Sequence, residues 1–403
     1  MIRTAIISDL GRIVTGNTPP RNQPELYGDY TPFIKATDIS ENEKHTYLPE
    51  EGYSESGHKK YIRSLIPKGS TCVVTIGSIG KKMTMAHCDC FINQAMNAII
   101  PNEHFDNEYV YYAVKNVIGN LKALDSGTAS GRENVSKSAF SKMEVTITDD
   151  IISQRKIGSI LAAYDDLIEN NQKQIKLLEE AAQRLYKEWF VDLRFTGHEH
   201  TKIVDGVPAG WEKLHISDVC DTIGGGTPST KVKEYYQNGS IPWVTPTDIT
   251  KNNSLVLLDT ATKITNEGLN NSSAKMVPPG TILMTSRASV GFFGICNFPV
   301  CTNQGFISCV PYQHDAQMYL LYNLLNRVDE IRTKAGGSTY LEISKKTFRD
   351  FEIVVPDTQV LTLFQMTAEK SIEQIRILST QILKLQQARD RLLPKLMSGE
   401  VEV

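Results

Sequence analysis

The sequence predicts an α+β fold: two globules of mixed α/β structure joined by two long antiparallel helices that pair as a coiled coil, with a pseudo-two-fold relation between the halves. Three observations predict it. The 403 residues exceed what one core carries, roughly 250–300 residues. The second half repeats the first at an offset of about 209 residues. Each half ends in a long stretch poor in Gly and Pro, with apolar residues at heptad spacing.

The first globule spans residues 1–150. Val73-Val74-Thr75-Ile76 and Ala98-Ile99-Ile100 are β-branched or apolar runs between turns and read as strands. Residues 151–195 form the first spacer helix. Ile157, Leu161, Tyr164, Ile168, Asn171, Ile175, Leu178, Ala182, Leu185 and Trp189 step alternately by four and three, an a/d seam with Asn171 as its one strongly polar position. The second globule, residues 196–356, carries the strand-like runs Thr281–Met284 and Phe306–Val310. Residues 357–403 form the second spacer helix, with Ile372, Ile375, Leu378, Ile382, Leu385 and Leu392 on its seam and Pro394 near its end. A helix of about 40 residues is about 60 Å long, more than one small globule can cover. The other long helix is therefore the expected partner, and a chain that travels out and back makes the pair antiparallel.

The repeat keeps its order throughout. Ile7-Ser8-Asp9-Leu10 matches Ile216-Ser217-Asp218-Val219, and Gly16-Asn17-Thr18-Pro19 matches Gly225-Gly226-Thr227-Pro228. Thr37-Asp38-Ile39 matches Thr247-Asp248-Ile249, and Ser78-Ile79-Gly80 matches Ser289-Val290-Gly291. Asn93-Gln94 recurs as Asn303-Gln304, and Ser136-Lys137 with Phe140 as Ser344-Lys345 with Phe348.

Composition narrows the class. A net charge of −3 excludes a generally basic nucleic-acid coat but leaves room for local basic patches. No apolar run approaches the roughly 18 residues of a membrane span, and the first residues lack a signal-peptide core. Seven cysteines spread through a large chain point to a reducing cytoplasm rather than a disulfide framework.

Taken in order and twice over, these motifs resemble the specificity subunits of type I restriction–modification systems, the HsdS family. The sharpest likeness is in the second half: Gly225-Gly226-Thr227-Pro228-Ser229, Ile241-Pro242-Trp243-Val244, Ser286-Arg287-Ala288-Ser289-Val290-Gly291 and Asn303-Gln304-Gly305-Phe306. Arg391-Leu392-Leu393-Pro394-Lys395-Leu396-Met397-Ser398-Gly399-Glu400 resembles the family's C-terminus. The first half departs at Asn17 and at Ile76-Gly77, where the second has Gly226 and Arg287-Ala288. The resemblance implies two target-recognition domains that read a split, asymmetric double-stranded DNA site, with spacer helices that set the unread gap. It implies a chain without its own catalysis or cofactor, assembled with two methyltransferase (modification) subunits and with restriction/translocase subunits. S-adenosylmethionine, ATP and Mg would belong to those partners.

The absent motifs agree with that expectation. Thr18-Pro19-Pro20-Arg21 lacks the amide and the aromatic ring with which an amino-methyltransferase grips a base. Gly80-Lys81-Lys82 is no phosphate-binding loop. His87-Cys88-Asp89-Cys90 has no second ligand pair for zinc and reads as structural, its cysteines alternating as on a strand. His198-Glu199-His200 reads as linker.

DNA contact needs cations for phosphates and planar donors for base edges. In the first globule the loop candidates are Arg21, Lys35, Lys81, Lys82, Arg132 and Lys137. In the second they are Lys231, Lys233, Thr245, Thr247, Arg287, Lys345 and Lys346, with Arg287 the favoured guanine contact. Glu41, Glu43, Glu50, Glu51 and Glu55 are expected to face away from the duplex. Tyr186 and Phe190, near one helix end, are expected among the surfaces that receive methyltransferase subunits. The alternative is a coiled-coil protein-assembly scaffold without DNA specificity.

Overall fold

The structure is a computed structural model, and it describes residues 2–127, 131, 133–337 and 340–403. The chain separates into two compact units, residues 1–170 with 382–403, and residues 171–381. Each unit therefore holds one globule, half of the first long helix and half of the second. Among the described residues no helix is long and apolar enough to cross a membrane.

In the first unit, Gly11–Thr15, Met96–Pro101, Thr71–Val74 and Met83–Met85 form one antiparallel sheet in that order. Glu51–Tyr53, Tyr27–Ile34 and Phe91–Ile92 form a second. Ile2–Ile6 pairs with Glu144–Thr148, Ala5 opposite Val145. The run Thr71-Cys72-Val73-Val74 is buried along its whole length, as an apolar strand covered on both faces must be. Burial pushes the Cys72 thiol up to about 12, so it is an inert core residue.

The second unit repeats the plan. Cys220–Gly224, Phe306–Pro311, Ile282–Thr285 and Phe293–Ile295 form the first sheet; Thr262–Ile264, Ile241–Val244, Val300–Thr302 and Met276–Val277 form the second. Glu212–His215 pairs with Glu352–Val355.

Most of the repeated residues are structural. Asp9 and Asp218 accept the backbone N–H of Ile6 and His215, at 3.1 and 2.9 Å. Asp38 and Asp248 accept those of Lys35 and Thr245, at 2.8 and 2.7 Å. Ser136 caps the helix Lys137–Ser141 through the Ala139 N–H, and Ser344 caps Lys345–Arg349 through the Thr347 N–H. Phe140 and Phe348 are fully buried beneath those short helices.

The first long helix, Ile151–Tyr186, runs for 36 residues and continues into a π-turn, Lys187–Val191. Gly158 lets it approach the helix Asn107–Val117, since a Cβ there would stand 3.0 Å from the Tyr109 nitrogen. The second, Thr358–Ser398, runs for 41 residues through Pro394 and stops before Gly399, whose φ is +73°. Buried Gln154 and Gln365 tie each helix to its globule, accepting the Asp106 and Met318 N–H, both at 2.9 Å.

The helices pair antiparallel within each unit. In the first, Ile157, Leu161, Leu393, Leu396 and Met397 share one core with Tyr109 to Val114, and Arg389 pairs with Asp165. In the second, Asn171 donates its amide to Gln381 at 3.2 Å, while Trp189 and Phe190 meet Phe364. The expected seam faces inward. Ile157, Leu161, Ile168, Asn171, Ile175, Ile375 and Leu378 are buried; Leu178, Leu185, Ile372, Ile382, Leu385 and Leu392 are partly covered.

Two expectations change. Tyr186 is buried against Phe190, Phe364 and Tyr319, and its hydroxyl accepts from the Asn323 amide at 2.9 Å, so it offers no docking surface. Phe190 meets Tyr319 and Phe364 edge-on in the same cluster. Cys88 and Cys90 do not alternate on a strand: Cys88 lies in a bend, and Cys90 is buried where the chain bridges to Ile66.

Candidate DNA interface

In each globule a Gly-x-Thr-Pro loop lies against the segment that carries Asn-Gln. A Cβ on Gly16 would stand 2.2 Å from the carbonyl oxygens of Ile92 and Asn93; one on Gly225 would stand 2.2 Å from those of Thr302 and Asn303. Only glycine permits that approach. The next N–H closes the contact, Asn17 onto Ile92 O at 3.0 Å and Gly226 onto Thr302 O at 2.9 Å. Tyrosine hydroxyls then hold the turn, Tyr27 on Pro19 O and Tyr236 on Pro228 O, both at 2.6 Å. Between these clamps the hydroxyls of Thr18 and Thr227 donate to the side-chain amide oxygens of Gln94 and Gln304.

The departure at Asn17 has a local cause. In the second globule the Trp243 indole N–H caps Gly226 O at 3.0 Å, and a Cβ on Gly226 would strike Ser273 Oγ at 2.2 Å. The first globule has Phe33 in place of Trp243, and the Tyr53 hydroxyl approaches instead. Asn17 fills the space, its amide donating to Ser64 Oγ at 2.7 Å and its oxygen accepting from Tyr53 at 2.9 Å.

Around the first loop, Arg21 lies over the Tyr27 ring at 4.8 Å and forms a two-pronged pair with Glu51, at 2.9 and 3.0 Å. Lys35 reaches Glu51 at 3.1 Å and also meets Glu50. Glu50 and Glu51 were expected on the far side of the globule. They lie among the cations because the antiparallel pairing of Tyr27–Ile34 with Glu51–Tyr53 sets Glu51 opposite Phe33. The Arg21 guanidinium holds the Glu51 carboxyl below its ordinary value. These cations are thus partly neutralised before any phosphate arrives. Half-buried Lys82 points its ammonium toward Ala36 O at 3.4 Å, beside Lys35, whereas Lys81 and Lys137 are exposed. Arg132 lies outside the described residues.

Around the second loop, the Lys345 ammonium lies over Gly224, 3.3 Å from where a Cβ would stand. Arg287 opens the turn after Ile282–Thr285, half-exposed and 3.6 Å from Glu342. Ala288 follows at a φ of +60°, a conformation that strains any residue with a Cβ. With Pro246, Asn303, Gln304, Gly305 and exposed Tyr340, these two residues line a concavity of about 300 Å³. The Thr245 hydroxyl donates its proton to Asp248 at 2.7 Å to close a helix cap, which leaves it only as an acceptor. Thr247, Lys231, Lys233 and Lys346 are exposed. Of the expected residues the structure places Arg287 in the wall of the concavity, Thr245 next to its lining residue Pro246, and Lys345 beside the glycine loop.

Gln94, Gln304 and Tyr340 were not candidates in the sequence reading. The two glutamines were visible as repeat matches, but only the fold shows that they are exposed while Asp9, Asp38, Ser136, Phe140 and their counterparts serve caps or core.

The family model described as "Type I restriction modification DNA specificity domain" matches residues 4–180 and 208–381. The chain is 28% identical over 417 residues to the type I restriction enzyme MjaIX specificity subunit of Methanocaldococcus jannaschii, covering 98% of this chain and 93% of that one. It is 27% identical over 311 residues to the type I restriction enzyme HindI specificity subunit of Haemophilus influenzae, covering 62% of this chain and 67% of that one. A crystal structure of a type I restriction–modification S subunit from M. genitalium shares the fold with a TM-score of 0.62 at 16% identity, covering 98% of this chain and 96% of that one.

Proposed function

This chain belongs to the family of type I restriction–modification DNA specificity subunits, and from that premise we propose that residues 1–150 and 196–356 each read one half of a split, asymmetric site in double-stranded DNA. The observation that carries the reading is the loop pair: each globule presents the same Gly-x-Thr-Pro and Asn-Gln scaffold, but surrounds it with different side chains. Arg21, Lys35 and Lys82 stand beside the first; Arg287, Tyr340 and Lys345 stand beside the second. A common frame with unlike side chains is what two readers of unlike half-sites require.

The chain is the recognition part and does no chemistry. Two methyltransferase subunits, holding S-adenosylmethionine, methylate adenine where it directs them, and restriction/translocase subunits bring ATP, Mg and cleavage. The assembly works in the cytoplasm. Exposed Lys81, Lys137, Lys231, Lys233 and Lys346 contact phosphates and set position and salt dependence. Arg287 reads a guanine edge through its two parallel N–H donors. The scaffold alternative gains nothing from the family match.

Co-expression with a cognate methyltransferase subunit, followed by adenine-methylation mapping, tests this. A two-part motif is expected, and replacing residues 1–150 by another member's first domain changes one part only. Random methylation, or none, would overturn it.

A further inference from the structure

The repeated residues divide by the work they do. Asp9 and Asp218, Asp38 and Asp248, and Ser136 and Ser344 satisfy backbone N–H groups. Gly16 and Gly225 permit a close approach, and Ile39, Ile249, Phe140 and Phe348 fill cores. The Thr–Gln pairs have no such task. Gln94 and Gln304 are exposed, and a hydrogen bond between exposed groups adds little to folding. Yet both copies build a glycine contact, a tyrosine clamp and a threonine hydroxyl around that one amide.

The chemistry left over is specific. One lone pair of the amide oxygen is taken by threonine, which restrains the amide. Among the described residues no other hydrogen bond engages the NH₂ or the second lone pair, which leaves a donor beside an acceptor on an exposed side chain. In the major groove that pair matches N7 and the N6 amino group of adenine, the bidentate contact that glutamine makes. A phosphate offers acceptors only, and would engage the NH₂ without using the oxygen's second lone pair.

We propose that Gln94 and Gln304 are specificity-determining residues, each reading an adenine edge in the half-site of its own globule, oriented by Thr18 and Thr227. This rests on the DNA-reading function above and names part of how it is done. The test uses the full chain with its methyltransferase partner, and adenine-methylation mapping of Gln94→Ala, Gln304→Ala and Gln304→Glu. Gln304→Ala should make one position of one half-site degenerate, with about ten- to hundred-fold less discrimination there, and leave the other half unchanged. Gln94→Ala should do the same in the other half-site. Gln304→Glu, an acceptor-only side chain, should shift that position from adenine toward cytosine, which a merely structural glutamine would not do. Unchanged motifs, or a uniform loss of methylation with the motif intact, would overturn the inference. A wild-type chain without any two-part motif would instead overturn the family function, so the two failures are distinguishable. Matching thermal midpoints for variants and wild type would show that folding is unaffected, as exposure of the pair predicts.

Discussion

Glu179 shows how one side chain ties a helix to its globule at some cost. Its carboxylate accepts the Leu255 N–H at 2.7 Å. Burial raises its pKa above the ordinary 4.5, and the backbone hydrogen bond offsets only part of that. A raised carboxyl pKa means the charged form weighs against folding at neutral pH. That penalty fades as pH falls through the folded value and then the unfolded one. Glu179→Gln keeps the acceptor and removes the charge. Its thermal midpoint should exceed wild type at pH 7, with the gap closing by about pH 4; equal midpoints at pH 7 would refute this. Glu169 has the opposite sign. Burial would raise it, but the His45 ring and the Tyr47 hydroxyl outweigh burial and hold it below its usual value, so its support is lost as pH falls from the ordinary carboxylate value through the lower folded one. Neither glutamate was legible in the sequence. A charged residue beside a heptad seam reads as solvated until a neighbouring loop is shown to cover it.

At the scale of elements, two polar contacts stand out in the helix pairing. Asp165, buried on the first long helix, accepts from Arg389 and, at 2.6 Å, from the Tyr112 hydroxyl. Asn171 meets Gln381. An apolar seam tolerates slippage by a heptad, whereas a buried charge that must find its partner does not. Asp165→Leu leaves buried Arg389 with only the exposed Asp390 as counter-charge and takes the acceptor from Tyr112, and should cost about 3–5 kcal/mol in urea unfolding. Asp165→Leu with Arg389→Met should recover most of that loss, and a double-mutant cycle with no coupling would show that the pair does not act as one unit. The sequence disclosed Asn171 on its seam, because one polar residue interrupts an otherwise apolar period. It did not disclose the pair: Asp165 stands off the a/d positions of the first helix, and Arg389, although it falls in heptad register with Ile375 and Ile382, reads as a break in the apolar seam until Asp165 is found opposite it.

For the whole molecule, both long helices cross from one unit to the other, the first between residues 170 and 171, the second between 381 and 382. Those positions are where a spacer can be lengthened without cutting a polar contact. Four residues inserted in each helix there add about 6 Å, close to two base-pair steps, as a stutter that a coiled coil absorbs by local unwinding. Methylation mapping should return both half-sites unchanged with a longer gap. An unchanged gap would sink the idea that the helices act as a ruler. The repeat, the heptad seams and the strand runs determined by themselves that the chain is two like globules with two long helices, because these properties are periodic in sequence. Only the tertiary structure decided which repeated residues are free. Capping, close approach and core burial depend on what lies opposite a side chain in space, and that separated Gln94 and Gln304 from Asp38, Asp248 and Ser344, and set Glu51 among the cations from which it was expected to face away.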